Sequence, residues 1–364
     1  MKHLTFLMAG IMLAFFATAQ APDGYYDSAE GLGFEQLQQA LHDIIDNHTQ
    51  LSYDDLWSAF YDTDPRPDNS SLVWDMYSDN PFGSEPYTYT FGTDQCGNYS
   101  GEGSCYNREH SFPKSWYNDG YPMYTDLVQL VPTDGYVNGM RGNFAYGEVD
   151  NPDWISENGS KKGYSNASWT TDMVFEPIDE YKGDFARIYF YMATRYKDEI
   201  DNWESNNDNA DAMLNGTSYP AFESAVLDML MQWHENDPPG FKESERNDAI
   251  YDWQGNRNPF VDHPEYVEYI WGDGPNSISE TNEAPALIIS PNPADDKIQL
   301  RFENTSERVR DLALYDICGK PVMKQKCSET SFTLDVESLP AGMYFLQIEN
   351  DTKYAGITKR IVIE

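Results

Sequence analysis

Two short stretches limit what this chain can become more than any other part of it. Cys105-Tyr106-Asn107-Arg108-Glu109-His110-Ser111-Phe112 reads as a strand that Pro113 ends, and it sets a carboxylate beside an imidazole. Asp126-Leu127-Val128-Gln129-Leu130-Val131 reads as a second, mostly buried strand. Pro132-Thr133 follows, with Thr133 placed to cap a helix running to about Arg141 and Gly142-Asn143 ending it. Strand, irregular loop, strand, helix is a ββα order. It gathers Glu109, His110, Asn138 and Arg141 into one short unit.

Those residue types suit metal-assisted cleavage of a phosphodiester. That reaction needs a base for water, a cation for the developing charge and a grip on the phosphate. His110 is the candidate base, because an imidazole titrates near working pH. Glu109 offers a hard oxygen suited to Mg²⁺ or Ca²⁺. Adjacent strand residues point to opposite faces, so Glu109 and His110 share a site only if the strand ends or kinks there, as Pro113 suggests. Asn138 adds a neutral oxygen from the helix; Asn143, at or past the helix end, is a rival. Arg141 lies three residues beyond Asn138, on the same side. It either holds the phosphate by bidentate bonds or pairs with one of the many acids. Arg108, Lys114 and Arg257 are weaker phosphate candidates. The run Gln254-Gly255-Asn256-Arg257-Asn258-Pro259 either touches substrate or ties a loop together.

These stretches resemble the secreted bacterial endonuclease I family, and the likeness runs over most of residues 24–271. It includes Glu245-Arg246-Asn247-Asp248-Ala249-Ile250, Gln254 to Phe260, and Asp262-His263-Pro264-Glu265. The resemblance implies an α+β fold, a ββα-metal (His-Me) finger core surrounded by helices. It assigns the general base to His110, the metal ligands to Glu109 and Asn138, and substrate contacts to Arg141, Gln129 and Arg257. One divalent cation is implied, Mg²⁺ first, with Ca²⁺ or Mn²⁺ as alternatives. The implied substrate is DNA, with RNA as a second, cut with little regard to sequence to leave 5′-phosphates. The chain departs from the family at Val128-Gln129, where members usually carry a histidine. Gln129 can replace a hydrogen bond there but not a charge.

Leu4 to Ala19 is apolar, follows Lys2-His3 and ends in Ala17-Thr18-Ala19, the pattern of a secretory signal peptide over residues 1–19. Formal charge is −37; the leader contributes +1 and residues 287–364 contribute −2, leaving −36 on residues 20–286. So acidic a body repels nucleic acid at long range, which argues for few phosphate contacts and a modest salt dependence. Export also makes the cysteines informative. Cys96 and Cys105 enclose a glycine- and serine-rich loop, and a disulfide is expected to fix the strand leading into Glu109-His110. Cys318 and Cys327 look unpaired with each other. If Gly319-Lys320-Pro321 is a hairpin turn, Cys327 sits several residues down the return strand, at about 3.3 Å per residue. No C-x-x-C or H-x-x-H spacing points to zinc.

Elsewhere, Leu37, Leu41, Ile44, Ile45 and His48 mark an amphipathic helix, with His42 and His48 as structural or surface histidines rather than ligands. Residues 72–92 read as short β pieces. Two more helices carry stripes at Phe185, Ile188, Tyr189, Met192, Tyr196 and at Phe222, Ala225, Val226, Met229, Leu230, Trp233. Residues 198–209 read as a polar surface run. A nuclease-like domain over 20–275 then gives way to a polar linker, 276–286. Residues 287–364 resemble the type IX secretion system sorting domain, a small all-β immunoglobulin-like sandwich. The implied partner is that export machinery, and the implied location is outside the cell or on its surface. A monomer is expected. The competing reading is a nuclease core that has lost activity and serves as a surface or matrix protein, favoured by Gln129 and the acidity. A calcium adhesin is weaker, since no EF-hand loop appears.

Overall fold

The computed structural model describes residues 21–81, 83–275, and 286–363 with gaps at 295, 304–309, 317–320, 328–330, 337–338 and 351–356. The leader, Cys318 and most of the linker lie outside the described residues. The chain divides into two units after Pro275.

The first unit opens with α1 (Phe34–Ile45) and α2 (Asp55–Thr63). Leu37, Leu41 and Ile45 of α1 are buried, as their spacing requires, but the helix stops before His48. His42 is buried, with Nδ1 3.1 Å from the carbonyl oxygens of Thr194 and Arg195. Residues 72–92 form no ladder among the described residues, only isolated bridges such as Leu72 to Thr90. Next come β1 (Tyr106–His110), β2 (Leu130–Asp134) and α3 (Gly135–Arg141). β1 and β2 pair antiparallel, with Glu109 opposite Val131 and His110 opposite Leu130. A second sheet, β3 (Asn151–Ile155), β4 (Lys161–Tyr164) and β5 (Met173–Glu176), follows in simple antiparallel order. Apolar periodicity in the sequence does not mark it.

The unit is built around α4 (Lys182–Arg195). An apolar stripe alone would leave its other face in water, yet every α4 residue except Asp184 is buried. Its charges find partners: Arg187 bonds both oxygens of Glu243 at 2.6 and 2.7 Å and Asp184 at 2.8 Å. With those charges neutralised, α1, α6 (Ser224–Asn236) and α8 (Pro259–Asp262) all pack against it. Short α5 (Asp208–Met213), α7 (Phe241–Gln254) and α9 (Glu265–Trp271) complete this unit's helices. The 198–209 run is less superficial than its composition suggests, because Ile200 and Trp203 are buried.

The second strand begins later than its apolar residues imply. Asp126–Gln129 is a turn, and the reason is Asp126, whose carboxylate is a buried hub. It accepts from Tyr191 and Tyr196 hydroxyls at 2.8 and 2.7 Å, from Gln254 Nε2 at 2.9 Å and from its own turn at Val128 N, 3.0 Å. The ladder starts where that turn releases the chain. Thr133 therefore lies inside β2, and Asp134 caps α3 instead, accepting from Val137 N at 2.7 Å.

The second unit holds β6 (Ala286–Ser290), β7 (Lys297–Glu303), β8 (Arg310–Asp316), β9 (Pro321–Cys327), β10 (Ser331–Asp335), β11 (Gly342–Asn350) and β12 (Ile357–Ile363). They form two antiparallel sheets, ordered β10-β7-β6 and β12-β11-β8-β9. Alternate residues of both, among them Ile298, Leu300, Leu312, Leu314, Leu346 and Ile361, meet in one apolar cluster. Cys327 ends β9, opposite Arg310 at the start of β8.

Burial alone would raise the Asp126 carboxyl, but the His48 ring and hydrogen bonds from Gln254, Tyr196 and Tyr191 more than offset it and hold it below its ordinary value. A depressed folded pKa contributes stability above the unfolded value and loses it as pH falls through the folded one. Asp126→Asn should therefore unfold at lower urea than wild type at neutral pH, with the gap shrinking below about pH 4. Tryptophan fluorescence reads this unit alone, since all nine tryptophans lie between residues 57 and 271.

Candidate active site

β1 alternates as a strand must. Asn107 and Glu109 face α3, whereas Arg108 and His110 face an aromatic wall. The ladder stays in register through His110, and Ser111 N continues it to the Gln129 carbonyl at 3.0 Å. The expected kink between Glu109 and His110 is thus not seen, and their side chains take different partners. His110 is nonetheless the last residue of the strand, and neighbouring Cα atoms are about 3.8 Å apart, so both border its end.

Glu109 is buried. One carboxylate oxygen, Oε1, accepts from Tyr77 Oη and Arg141 Nη1, each at 3.0 Å. Burial pushes its carboxyl up to about 7, against the pull of Arg141 and Tyr77. His110 Nε2 lies 3.1 Å from the Tyr124 carbonyl oxygen. A carbonyl only accepts, so Nε2 carries the proton and the lone pair is on Nδ1. Burial pushes the imidazole down to about 4, which keeps it neutral at physiological pH. Its ring lies against Tyr124 and Tyr53, with centroids 4.9 and 6.2 Å away.

Asn138 stands partly exposed on α3. Its amide nitrogen donates to Asn107 Oδ1 at 2.8 Å and to the Arg108 carbonyl at 3.4 Å. Both bonds fix the nitrogen inward, so Oδ1 is the amide atom left for a ligand. Glu109 and Asn138 are a pair of hard oxygen donors, a set that fits Mg²⁺, Ca²⁺ or Mn²⁺ better than zinc. Among the described residues no cluster of three or more His, Cys, Asp or Glu could hold a metal. Asn143 lies past the helix, its amide 3.4 Å from Ser115 Oγ.

Three residues expected to touch substrate are turned inward. Arg141 is fully buried: Nη1 bonds Glu109 and the His110 carbonyl (2.8 Å), and Nη2 bonds the Ser111 carbonyl (2.6 Å). It is a clamp on the end of β1. Gln129 is fully buried and donates to Tyr117 Oη at 3.1 Å and the Met123 carbonyl at 2.8 Å, tying the loop to β2. Arg257 is buried between Asp262 and Asp248, so its run ties a loop together. No phosphate grip is assigned to these three. Lys114, with its side chain 49% exposed, and partly exposed Arg108 are the basic groups beside His110.

Cys96 and Cys105 form the expected disulfide. Its loop braces α3: Gly135 N donates to the Cys105 carbonyl at 2.9 Å, and Gly103 N to Asp134 Oδ2 at 2.8 Å. A Cβ at Gly139 would stand 2.0 Å from Tyr99 Oη, so glycine lets the loop lie on the helix. Sequence reasoning missed Asn107, Tyr77 and Tyr124. Strand alternation could have found Asn107, two residues before Glu109; nothing local marks Tyr77, or a carbonyl at Tyr124.

Residues 33–265 match the endonuclease I family, and 289–364 match the secretion system C-terminal sorting domain. An extracellular ribonuclease of Bacillus amyloliquefaciens is 37% identical over 252 residues, 68% of this chain and 78% of its own length. That of Bacillus subtilis is 36% identical over the same extent. An extracellular deoxyribonuclease of Aeromonas hydrophila is 28% identical over 38% of this chain and 50% of its own. A solved chain of PorZ, a type IX secretion component of Porphyromonas gingivalis, covers 25% of this chain and 13% of its own at 14% identity and a TM-score of 0.20, too low to bear on the fold. The chain belongs to the endonuclease I family. It is a nuclease, and its sorting domain marks it for export to the cell surface or beyond.

Arg141→Ala should destabilise the first unit by about 3–5 kcal/mol in urea unfolding, because it strands the Glu109 carboxylate and two carbonyls in the interior. A change within about 0.5 kcal/mol, the range of ordinary surface substitutions, would contradict the clamp.

Proposed function

We propose that this is a secreted, divalent-metal-dependent endonuclease that hydrolyses DNA and RNA with little sequence preference, with His110 as general base. The observation that carries the reading is the hydrogen bond of His110 Nε2 to the Tyr124 carbonyl, which fixes the ring and leaves the Nδ1 lone pair for a proton. Nδ1 takes a proton from a water attacking phosphorus in line. Glu109 and Asn138 would hold the cation, and Asn107 keeps the Asn138 oxygen turned toward it. When bound, the cation supplies charge stabilisation at the phosphoryl oxygens and the leaving 3′ oxygen. Lys114 and Arg108 are the groups that meet the phosphate backbone, in place of Arg141 and Arg257. Contacts to backbone rather than base edges give low sequence specificity.

The β1–β2–α3 unit is the ββα-metal finger on this reading, set in a nuclease domain of residues 20–275 that acts as a monomer. The two sheets of residues 287–364 form the immunoglobulin-like sandwich that the type IX machinery engages, after a signal peptide of residues 1–19 and a linker of 276–286. Named relatives that are ribonucleases and deoxyribonucleases support both substrates.

Mature protein should nick plasmid DNA and degrade RNA with Mg²⁺ and not with EDTA. His110→Ala should lose roughly 100-fold or more of kcat, the usual contribution of a general base. Undiminished cleavage by the variant would remove His110 from the chemistry. Asn107→Ala should weaken Mn²⁺ binding by calorimetry about 10–100-fold, as loss of a group orienting a ligand does. Unchanged affinity would mean that Asn138 is not a ligand or needs no support.

A further inference from the structure

The face of β1 opposite α3 carries a series of rings that the proposed chemistry does not use. It begins at Tyr121, a residue 53% exposed. Tyr121 packs on Tyr124 with centroids 5.3 Å apart and planes at 47°. Tyr124 in turn meets His110 at 4.9 Å and Tyr53 at 4.8 Å. Among the described residues, Tyr121 is the exposed large apolar side chain whose ring contacts lead to the imidazole in two steps. Tyr53 and Tyr124 are both partly exposed, so the series borders solvent along its length.

Positive charge flanks the same rings. Lys114 Nζ stands 5.2 Å from the Tyr124 ring centre, and the Arg108 guanidinium lies 3.4 Å over Tyr53, held by the Tyr53 carbonyl at 2.5 Å. The acids facing them are Asp119, which pairs with Lys114 at 2.8 Å, and Asp54 near Arg108. Asp119 is 57% exposed, and such a solvated pair yields to a phosphate at little cost. Aromatic faces beside cations, on an otherwise strongly acidic body, have the chemistry of single-strand recognition. Bases stack on the rings while the backbone tracks the charge. A base inside a duplex keeps both faces covered and has none to offer.

We infer that Tyr121 and Tyr124 form a stacking platform for an unpaired nucleobase next to the bond being cut, and that the enzyme thereby favours single-stranded nucleic acid over duplex. The inference rests on the nuclease reading for its meaning, but base stacking is measurable without cleavage. Tyr121 is the residue to change, because its ring contacts Tyr124 and not His110.

The first arm compares kcat/KM on a single-stranded oligonucleotide and on its duplex, for wild type, Tyr121→Ala and Tyr121→Trp. The loss in Tyr121→Ala should be larger on the single strand than on the duplex by roughly tenfold, and Tyr121→Trp should restore it. The second arm follows stacking directly. A single-stranded oligonucleotide carrying a fluorescent purine analogue is titrated with the His110→Ala protein, with and without Tyr121→Ala, and quenching should depend on Tyr121. Equal losses on both substrates, or none on either, would overturn the platform. Quenching that depends on Tyr121, together with no cleavage of either substrate by wild type, would uphold the platform and remove the proposed metal-dependent cleavage. Neither cleavage nor quenching would overturn both.

Discussion

The guanidinium of Arg141 is the interaction on which the site depends. It has no exposed surface, yet it holds a carboxylate and two consecutive backbone carbonyls at the end of β1. Burying such a charge costs several kcal/mol before any partner is counted, so it persists only where its bonds are well made. Three consequences follow from this bond set. α3 is fixed against β1, Glu109 is kept ionisable inside the protein, and the chain direction after His110 is set. Asn138 rides on the same helix, so its place depends on a residue that is itself buried.

The disulfide loop acts on the same helix from its other end. Cys105 and Gly103 bond the start of α3 and its cap, and Tyr99 lies across Gly139. A helix of seven residues has little stability of its own and needs such support. Export to an oxidising compartment and the rigidity of the site are therefore connected. The acid body has a matching consequence. Arginines that composition offered to a phosphate are consumed by carboxylates in the interior, as Arg141, Arg187 and Arg257 show. Beside His110, Lys114 and Arg108 stand with Tyr53, Tyr121 and Tyr124, and on the proposed reading this is the area that meets nucleic acid.

Much of this was legible in the sequence because it is local. Pro113 bounds a strand, Gly142 stops a helix, and the composition change near Gly272 separates two units. Glu109 beside His110, with Asn138 and Arg141 three apart, is a pattern read along the chain. What was illegible is contact at a distance. Nothing near Asp126 shows that Tyr191, Tyr196 and Gln254 will converge on it, so the apolar run reads as a strand where the chain turns. Arg141 was open between phosphate and carboxylate because the choice depends on burial. Asn107 and the Tyr124 carbonyl do their work through one hydrogen bond each, which no composition signals. The buried faces of α4 were hidden for the same reason, since Arg187 is polar in sequence and neutralised only in the fold.

The central claim is that Glu109 and Asn138 together hold one cation while Arg141 remains behind them. A crystal structure of the His110→Ala protein with Mn²⁺ and a single-stranded oligonucleotide tests it most directly. The account predicts one anomalous peak bonded by a Glu109 oxygen and Asn138 Oδ1, with Arg141 still bonded to Glu109 and the His110 carbonyl's counterpart at residue 110. Manganese bound elsewhere, or Arg141 swung out onto the phosphate, would contradict it.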